Sequence, residues 1–301
     1  MTALPIQLGP IGIWTSHFEQ QPAAKAQEAA AQLEALGFGA IWFPEGMGRE
    51  ALTNAGLLLA GTRRIVVATG IANIYARDPV AMAAAQHTLA EAYPARFLLG
   101  LGVSHAAIVE EIRGHRYEKP VAAMRAYLDA MDRAPYRALP PPCRPVRVLA
   151  ALGPMMLRLA AERAAGAHSY NVPPEHTAQA RNIMGPGPLL IPEQAVLFET
   201  HPTRAREIAR AHLSRYFALP NYLNQFLRLG FADADFAQGG SHRLVDAIVA
   251  WGDLRTIIDR VRAHQSAGAD HVCIQVLTPD PRALTMPQWQ ALASELLRTP
   301  S

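Results

Sequence analysis

Residues 97–105 read Phe97-Leu98-Leu99-Gly100-Leu101-Gly102-Val103-Ser104-His105. The first six residues are apolar or glycine and do not alternate with polar residues, which is typical of a parallel strand that is buried on both faces. Ser104 and His105 follow almost at once and are polar. This stretch therefore predicts a buried strand that ends at a polar rim.

Seven further apolar runs of similar length occur along the chain. They are residues 11–14, 40–43, 65–70, 146–150, 167–171, 194–198 and 271–276. Longer segments rich in Ala, Leu, Glu and Arg separate the runs, and this alternation predicts repeated βα units. Eight parallel strands close a TIM barrel. We therefore expect an α/β protein, a (β/α)8 barrel, with one domain over residues 1–301.

Several helix ends can be predicted from the sequence. A helix over residues 22–36 ends at Gly37, a residue that tolerates the left-handed backbone of a helix C-terminus. Asp78 and Pro79 are suited to the N-cap and the first helical position of another helix. Thr203 is a candidate cap for a third helix, which continues through Arg215.

The interval between the seventh and eighth strands is long enough for a helical insertion, with helices predicted near residues 219–229 and 241–251. The insertion could roof a pocket, form a dimer face or pack against the outside of the barrel. Its aromatic residues, including Tyr222 and Phe226, fit either a hydrophobic chamber or helix core packing.

Composition excludes several classes of protein. The chain has 301 residues, a formal charge of +3 and two cysteines. Cys143 and Cys273 have no CxxC spacing, so they predict small apolar packing residues in a reducing cytoplasm. Basic residues form no stripe, which argues against nucleic-acid binding. The sequence shows neither a secretion signal nor an apolar run of about 18 residues, and we expect no membrane association.

The active site of a TIM barrel lies at the carboxyl ends of the strands. Residues at or just after the predicted strand ends are therefore the candidates. They are Trp14, Thr15 and Ser16, then Glu45, residues 70–75, 102–105 and 151–154, and finally Tyr170 and Asn171.

Glu45 and His105 are the candidate acid and base. An imidazole can donate or accept a proton near neutral pH, although a rim histidine can also cap the helix that follows. Glu45 is a lone acid whose pKa burial or a basic neighbour could tune. The strand ends lack paired carboxylates, metal-binding histidine motifs and a GxSxG motif. We therefore expect no metal site and a pocket that takes its chemistry from a cofactor.

Residues 150–154 read Ala-Ala-Leu-Gly-Pro and lead directly into a predicted helix. Backbone N–H groups near Leu152 and Gly153 would be free at that helix N-terminus, which favours binding of a phosphate. An ordinary βα turn explains the same residues. The Gly100-Leu101-Gly102 triplet lacks the third glycine of a dinucleotide-binding motif.

The sequence resembles the luciferase-like monooxygenase superfamily, and within it the oxidoreductases that depend on coenzyme F420, a deazaflavin. The resemblance covers nearly the whole chain. It rests on the blocks 8–14, 39–45, 68–79, 97–105 and 268–276, taken in their order and spacing.

The resemblance implies that the barrel holds the cofactor ring at its strand ends. It also implies a non-prolyl cis peptide between Gly70 and Ile71, with Asn73 facing the ring, and a phosphate at the Leu152-Gly153 turn. The expected cofactor contacts are Trp14, Gly70, Ile71, Ala72, Asn73, Gly102, Val103, Ser104, Ala151, Leu152, Gly153 and Tyr170.

A deazaflavin transfers hydride and does not readily activate oxygen, so the resemblance implies hydride exchange with a small organic substrate. It also implies a homodimer. FMN is the alternative cofactor, in a monooxygenase on the same barrel. A non-catalytic protein that binds flavin or deazaflavin is a third hypothesis.

The chain departs from the sugar-phosphate dehydrogenases of this superfamily at two positions. Those enzymes have a histidine directly after the acid of the second strand and a glutamate after the GxG of the fourth. This chain has Gly46 and Val103 there. Glu45 and His105 are therefore our hypothesis for the acid and base, and sugar-phosphate oxidation is not expected.

Overall fold

A computed structural model describes residues 4–280 and 282–297. Within these residues ten parallel strands pair in one sheet. They are β1 (Ile11–Trp14), β2 (Ala40–Phe43), β3 (Val66–Thr69), β4 (Ala72–Asn73), β5 (Phe97–Gly102), β6 (Val146–Ala150), β7 (Gly166–Ser169), β8 (Leu189–Leu197), β9 (Ala250–Trp251) and β10 (Val272–Val276). Eight of them close a barrel in the order β1-β2-β3-β5-β6-β7-β8-β10, because β10 pairs with both β8 and β1. The predicted TIM barrel is confirmed.

Helices follow the strands around the outside of the barrel. They are α1 (Ala23–Leu36), α2 (Ala51–Ala60), α3 (Pro79–Ala92), α4 (Pro120–Asp132), α5 (Pro154–Arg163), α6 (Pro174–Met184), α7 (Pro202–Phe217), α8 (Pro220–Arg228), α9 (His242–Ile248), α10 (Leu254–Ser266) and α11 (Met286–Leu296). A π-helical segment, Ile108–Ile112, follows β5. None of the helices in the described ranges combines the length and hydropathy needed to cross a membrane.

The ends of the eight predicted strands lie within two residues of the observed barrel strands, except at the start of β8, and the short strands β4 and β9 were not predicted. Strand β8 begins at Leu189 rather than at residue 194. Pro192 and Glu193 directly precede the run over residues 194–198 on which the prediction relied, yet both are buried within the strand. The barrel therefore accommodates a proline, a carboxyl group and the amide of Gln194 as buried residues of one strand.

The helix ends agree in two of three cases. Gly37 ends α1 with φ 93°, as predicted. Asp78 caps α3, where its Oδ1 accepts hydrogen bonds from the backbone nitrogens of Val80 and Ala81 at 2.9 Å each. The Thr203 cap is wrong: α7 begins at Pro202 with His201 as its N-cap. Proline at the first helical position places the cap one residue before it.

The inside of the barrel is partly polar. The rings of Trp42 and His168 stack at a centroid distance of 4.8 Å, and Trp42 Nε1 lies 3.1 Å from Nε2 of His271. Burial lowers the pKa of His168 and His271 to about 4, so both imidazoles are neutral at pH 7. Cys273 is a fully buried free thiol in the same layer.

The insertion lies between β8 and β10, as predicted. Helices α7, α8 and α9 share an apolar core that includes Leu213, Phe226 and Leu244, all fully buried. Tyr222 belongs to the same core and is 6% exposed. Core packing therefore accounts for part of the aromatic pattern in this segment.

Candidate active site

A cavity of about 970 Å³ opens at the carboxyl rim of the barrel. This volume is at the upper end of the roughly 300 to 1,000 Å³ of ordinary ligand pockets. The sequence-predicted residues that line it are Trp14, Ser16, Glu45, Gly70, Ile71, Gly102, Val103, Ser104, His105, Ala151, Leu152, Gly153, Pro154 and Tyr170. The cavity therefore brings together residues from the carboxyl ends of six strands, β1, β2, β3, β5, β6 and β7.

Ala72 and Asn73 do not line this cavity. Both are buried in β4, and the Oδ1 of Asn73 accepts a hydrogen bond of 2.9 Å from the backbone nitrogen of Tyr75. The backbone nitrogen of Asn73 donates to Oε2 of Glu45 at 2.7 Å. In this structure Asn73 therefore shapes the turn after β4, whereas the resemblance places it facing the ring.

The cavity has a floor of backbone and small side chains. The peptide bond between Gly70 and Ile71 is cis, as the resemblance implied. A Cβ atom at Gly102 would lie 2.4 Å from Cδ1 of Ile71, and one at Gly70 would lie 2.7 Å from Nε1 of Trp14. Trp14 donates from Nε1 to the carbonyl oxygen of Gly70 at 3.2 Å. The absence of a side chain at both glycines thus lets Ile71 and Trp14 pack directly against the backbone at the base of the cavity.

His168 lies at this floor, and the sequence reasoning missed it as a site residue. Its side chain is 2% exposed and lines the cavity. Its Nδ1 bonds to the carbonyl oxygen of Ile191 at 2.9 Å, so the ring proton is on Nδ1. Nε2 is buried and has no partner among the described residues. The floor therefore presents one unsatisfied hydrogen-bond acceptor, signalled in the sequence only by a histidine inside an apolar strand.

Glu45 is held in place by several contacts. Arg77 donates to both carboxylate oxygens, and the backbone nitrogen of Ala51 donates to Oε1 at 3.4 Å. The side chain is 4% exposed. The backbone nitrogen of Glu45 also donates to the carbonyl oxygen of Ile71 at 3.1 Å. Because its oxygens are already hydrogen-bonded, Glu45 is better suited to holding the floor than to exchanging a proton.

His105 is half-buried and also lines the cavity. Burial lowers its pKa below 6.5, an effect partly offset by a hydrogen bond with Asn221. No side chain caps the π-helical segment that follows it. The imidazole ring lies 5.9 Å from the ring of Tyr222. The side chain is thus a neutral base that faces the cavity instead of a helix cap.

The N-terminus of α5 also faces the cavity. Gly153 is the N-cap, Pro154 occupies the first helical position, and no side chain caps the helix. A Cβ atom at Gly153 would lie 3.4 Å from Nη2 of Arg228, which belongs to α8. Free N–H groups and a guanidinium therefore meet at one point, an arrangement that suits an anion.

The insertion supplies one wall of the cavity. Its lining residues are Arg215, Tyr216, Leu219, Asn221, Tyr222, Asn224 and Arg228. Tyr216 donates to the hydroxyl of Tyr170 at 3.3 Å, and Tyr170 donates to Oε1 of Gln275 at 2.7 Å. One face of the insertion thus covers the pocket, and another face forms the apolar core that α7, α8 and α9 share. The sequence did not indicate which of its polar residues face the cavity.

Across residues 4–280 and 282–297, no three His, Cys, Asp or Glu side chains are grouped so that they could hold a metal ion. The polar groups that face the cavity include the neutral imidazoles of His105 and His168, the guanidinium of Arg228 and the uncapped N-terminus of α5.

A model of the luciferase-like monooxygenase family matches residues 9–271. The chain belongs to this family. The match covers seven of the eight barrel strands and ends one residue before β10 begins. The resemblance inferred from the sequence blocks is therefore confirmed at the level of the family.

Known proteins similar to the chain include both deazaflavin and flavin enzymes. A Mycobacterium tuberculosis protein, classed as a coenzyme F420-dependent oxidoreductase, is 32% identical over 130 residues, which are 43% of this chain and 38% of that protein. The chain thus matches about two-fifths of the length of this relative.

Two solved structures show the same fold. An F420-dependent secondary alcohol dehydrogenase, in complex with an F420-acetone adduct, has a TM-score of 0.74 at 15% identity, over 95% of this chain and 97% of that one. The oxygenating constituent of 3,6-diketocamphane monooxygenase from Pseudomonas putida, in complex with FMN, has a TM-score of 0.67 at 15% identity. That match covers 95% of this chain and 96% of the monooxygenase.

Proposed function

We propose that this protein is an oxidoreductase that transfers a hydride between coenzyme F420 and a small organic substrate. The observation that carries the proposal is the continuity of one cavity, which joins the glycine floor at Gly70 and Gly102 to the uncapped N-terminus of α5 at Gly153. A flat ring with a phosphate-bearing side arm fits both ends of such a cavity. The Mycobacterium tuberculosis relative supports F420 as that cofactor.

The residues present fit this group. Gly70 and Gly102 line the cavity without side chains of their own, and the unpartnered Nε2 of His168 can accept a hydrogen bond from the ring. Trp14 and Tyr170, whose ring centroids are 5.0 Å apart, border the same space. Ala151, Leu152 and Gly153 would hold the phosphate. When bound, the deazaflavin supplies a carbon atom that accepts or donates hydride.

His105 is the group that we assign to the accompanying proton. Its neutral imidazole can take a proton from a substrate hydroxyl, or return it in the reverse direction. Glu45 holds the floor in place through Ile71 and Arg77. These roles suit a site that has Gly46 and Val103 where the sugar-phosphate dehydrogenases have an acid and a base.

An FMN-dependent monooxygenase is the second candidate function. It is favoured by the FMN complex of the Pseudomonas putida enzyme, which has the same fold. FMN has a flat ring and a phosphate and would use the same floor and the same helix N-terminus.

Anaerobic titration of the purified protein with F420 and with FMN tests the proposal. We expect F420 to bind at least ten-fold more tightly than FMN, as measured by the change in ring fluorescence. We also expect bound F420 to exchange hydride with members of a panel of alcohols and ketones. Tighter binding of FMN would favour the monooxygenase, and tight binding of F420 without hydride exchange would favour a non-catalytic binding protein. The homodimer stays a prediction, which sedimentation equilibrium can test.

A further inference from the structure

The cavity contains two cationic side chains and no free carboxylate. Arg215 and Arg228 both line it, and neither lies within 4.0 Å of a carboxylate in the part of the chain that the structure describes. Glu45 is the acid that lines the same cavity, and Arg77 already neutralises it. The cavity therefore has an excess of positive charge before any ligand enters.

The groups around Arg215 do not supply a counter-charge. Its guanidinium carbon lies 4.9 Å from the centroid of the Tyr216 ring. The hydroxyls of Tyr170 and Tyr222 are neutral at pH 7, because burial raises the pKa of both well above 10. Burial likewise raises the pKa of the Glu193 carboxyl to about 8, so it is mostly protonated at pH 7.

The two arginines lie at different parts of the cavity. Arg228 is beside Gly153, at the α5 N-terminus that we assign to the cofactor phosphate. Arg215 is beside Tyr216, which bonds to Tyr170, and Tyr170 contacts Trp14. Arg228 is thus placed to bind the cofactor phosphate, and Arg215 is placed beside the aromatic side chains of Tyr216, Tyr170 and Trp14.

The rest of the lining is largely apolar. Val103, Ile108, Val121, Leu152 and Leu219 contribute to it. Such a chamber favours a substrate with a hydrocarbon body, because burial of apolar surface is favourable in proportion to its area.

We propose that the substrate is an organic anion, a carboxylate carried on an apolar body, and that Arg215 binds the carboxylate. A planar guanidinium matches a carboxylate with two parallel hydrogen bonds. The proposal rests on the proposed function and narrows its substrate to one chemical class. Arg215 would act in binding and specificity, and it would take no part in the transfer of hydride.

The experiment uses three probes of equal chain length: octanoate, octan-1-ol and octylamine. Their binding to the F420-loaded protein is measured by calorimetry at pH 7.5. We expect octanoate to bind at least ten-fold more tightly than octan-1-ol, and octylamine to bind most weakly. Sodium phosphate is a fourth probe, which shows whether a free anion is sufficient for binding.

Three variants separate the roles of the arginines. Arg215→Gln is expected to weaken octanoate binding at least ten-fold, leaving the dissociation constants of octan-1-ol and F420 within two-fold. Arg228→Gln is expected to weaken F420 and to keep the preference for octanoate. Arg204→Gln, on the exposed side of the same helix as Arg215, is the matched control and should change neither.

Three results would overturn the assignment. The first is equal binding of octanoate and octan-1-ol by the unaltered protein. The second is loss of F420 affinity in Arg215→Gln with octanoate binding intact, since Arg215 would then belong to the cofactor site. The third is phosphate binding as tight as octanoate binding. The octanoate preference is also measured on protein loaded with FMN, so a wrong cofactor assignment is distinguished from a wrong substrate class.

Discussion

His105 and Glu45 lie at the same rim but differ in their freedom to exchange a proton. We expect His105→Gln to lower kcat/KM at least 100-fold, because general base catalysis contributes roughly 10² to 10⁴. The pKa of His105 lies below 6.5, so in the direction that needs the base, the activity of the unaltered protein should fall as pH drops from 6.5. The pH dependence of kcat/KM between pH 4.5 and 8 measures this decrease.

Glu45→Gln is the comparison for that experiment. Glu45→Gln should lower activity because it disturbs the base of the cavity, but its kcat/KM should still decrease at low pH. In His105→Gln the decrease of kcat/KM at low pH should be absent. If His105→Gln kept it and Glu45→Gln abolished it, the proton would belong to Glu45.

The role of Gly102 in cofactor binding can be tested by adding a single methyl group at that position. We expect Gly102→Ala to weaken cofactor binding at least ten-fold, because the new Cβ would lie 2.4 Å from Cδ1 of Ile71 and would displace that side chain into the ring space. Gly46→Ala is the control, since Gly46 lines the same cavity and its added Cβ would meet no atom within 4 Å. Fluorescence titration of both variants with F420 and FMN gives the dissociation constants. Equal binding by Gly102→Ala and the unaltered protein would remove Gly102 from the site.

At the scale of a single helix, the cap of α3 has a measurable effect on stability. We expect Asp78→Ala to lower the free energy of unfolding by about 1 kcal/mol, because the backbone nitrogens of Val80 and Ala81 lose their acceptor. Thr203→Ala should have an effect within about 0.5 kcal/mol, since Thr203 lies inside α7 and caps nothing. Urea unfolding of both variants measures the difference. Equal losses would contradict the cap assignment.

Most barrel strands could be predicted from the sequence because they are short, mainly apolar runs separated by longer segments rich in Ala, Leu, Glu and Arg. The start of β8 could not be predicted, because proline and glutamate are unusual in a buried strand. Only the folded barrel shows that Pro192 and Glu193 are both buried within β8. The site was predictable where it lies at strand ends, as at Gly102 and Gly153. Arg215 and Arg228 lie on helices, and which side of a helix faces a cavity depends on how the insertion packs.

At the scale of the whole molecule, the barrel keeps several ionisable groups neutral. Five histidines have pKa values that burial lowers to about 3 or 4, and they are His168, His176, His212, His264 and His271. In the unfolded chain each takes up a proton below pH 6.5, so stability falls as pH drops from 6.5 toward 4. The same neutrality lets His168 present an acceptor nitrogen to the cavity at pH 7.

Glu193 makes the stability of the folded protein depend on pH in the opposite direction. Its carboxyl is fully buried, Oε2 accepts a 3.0 Å hydrogen bond from the backbone nitrogen of Asn171, and burial raises its pKa from 4.5 to about 8. Its contribution to stability is therefore complete below pH 4.5 and is lost as pH rises to 8, by about 1.4 kcal/mol for each pH unit.

Glu193→Gln does not titrate, so its stability relative to the unaltered protein should rise over this range. Urea unfolding at pH 5, 6.5 and 8 measures that difference, and the histidine contributions cancel because both proteins share them. A stability difference between Glu193→Gln and the unaltered protein that stays constant with pH would mean that the buried carboxyl ionises as freely in the folded protein as in the unfolded chain.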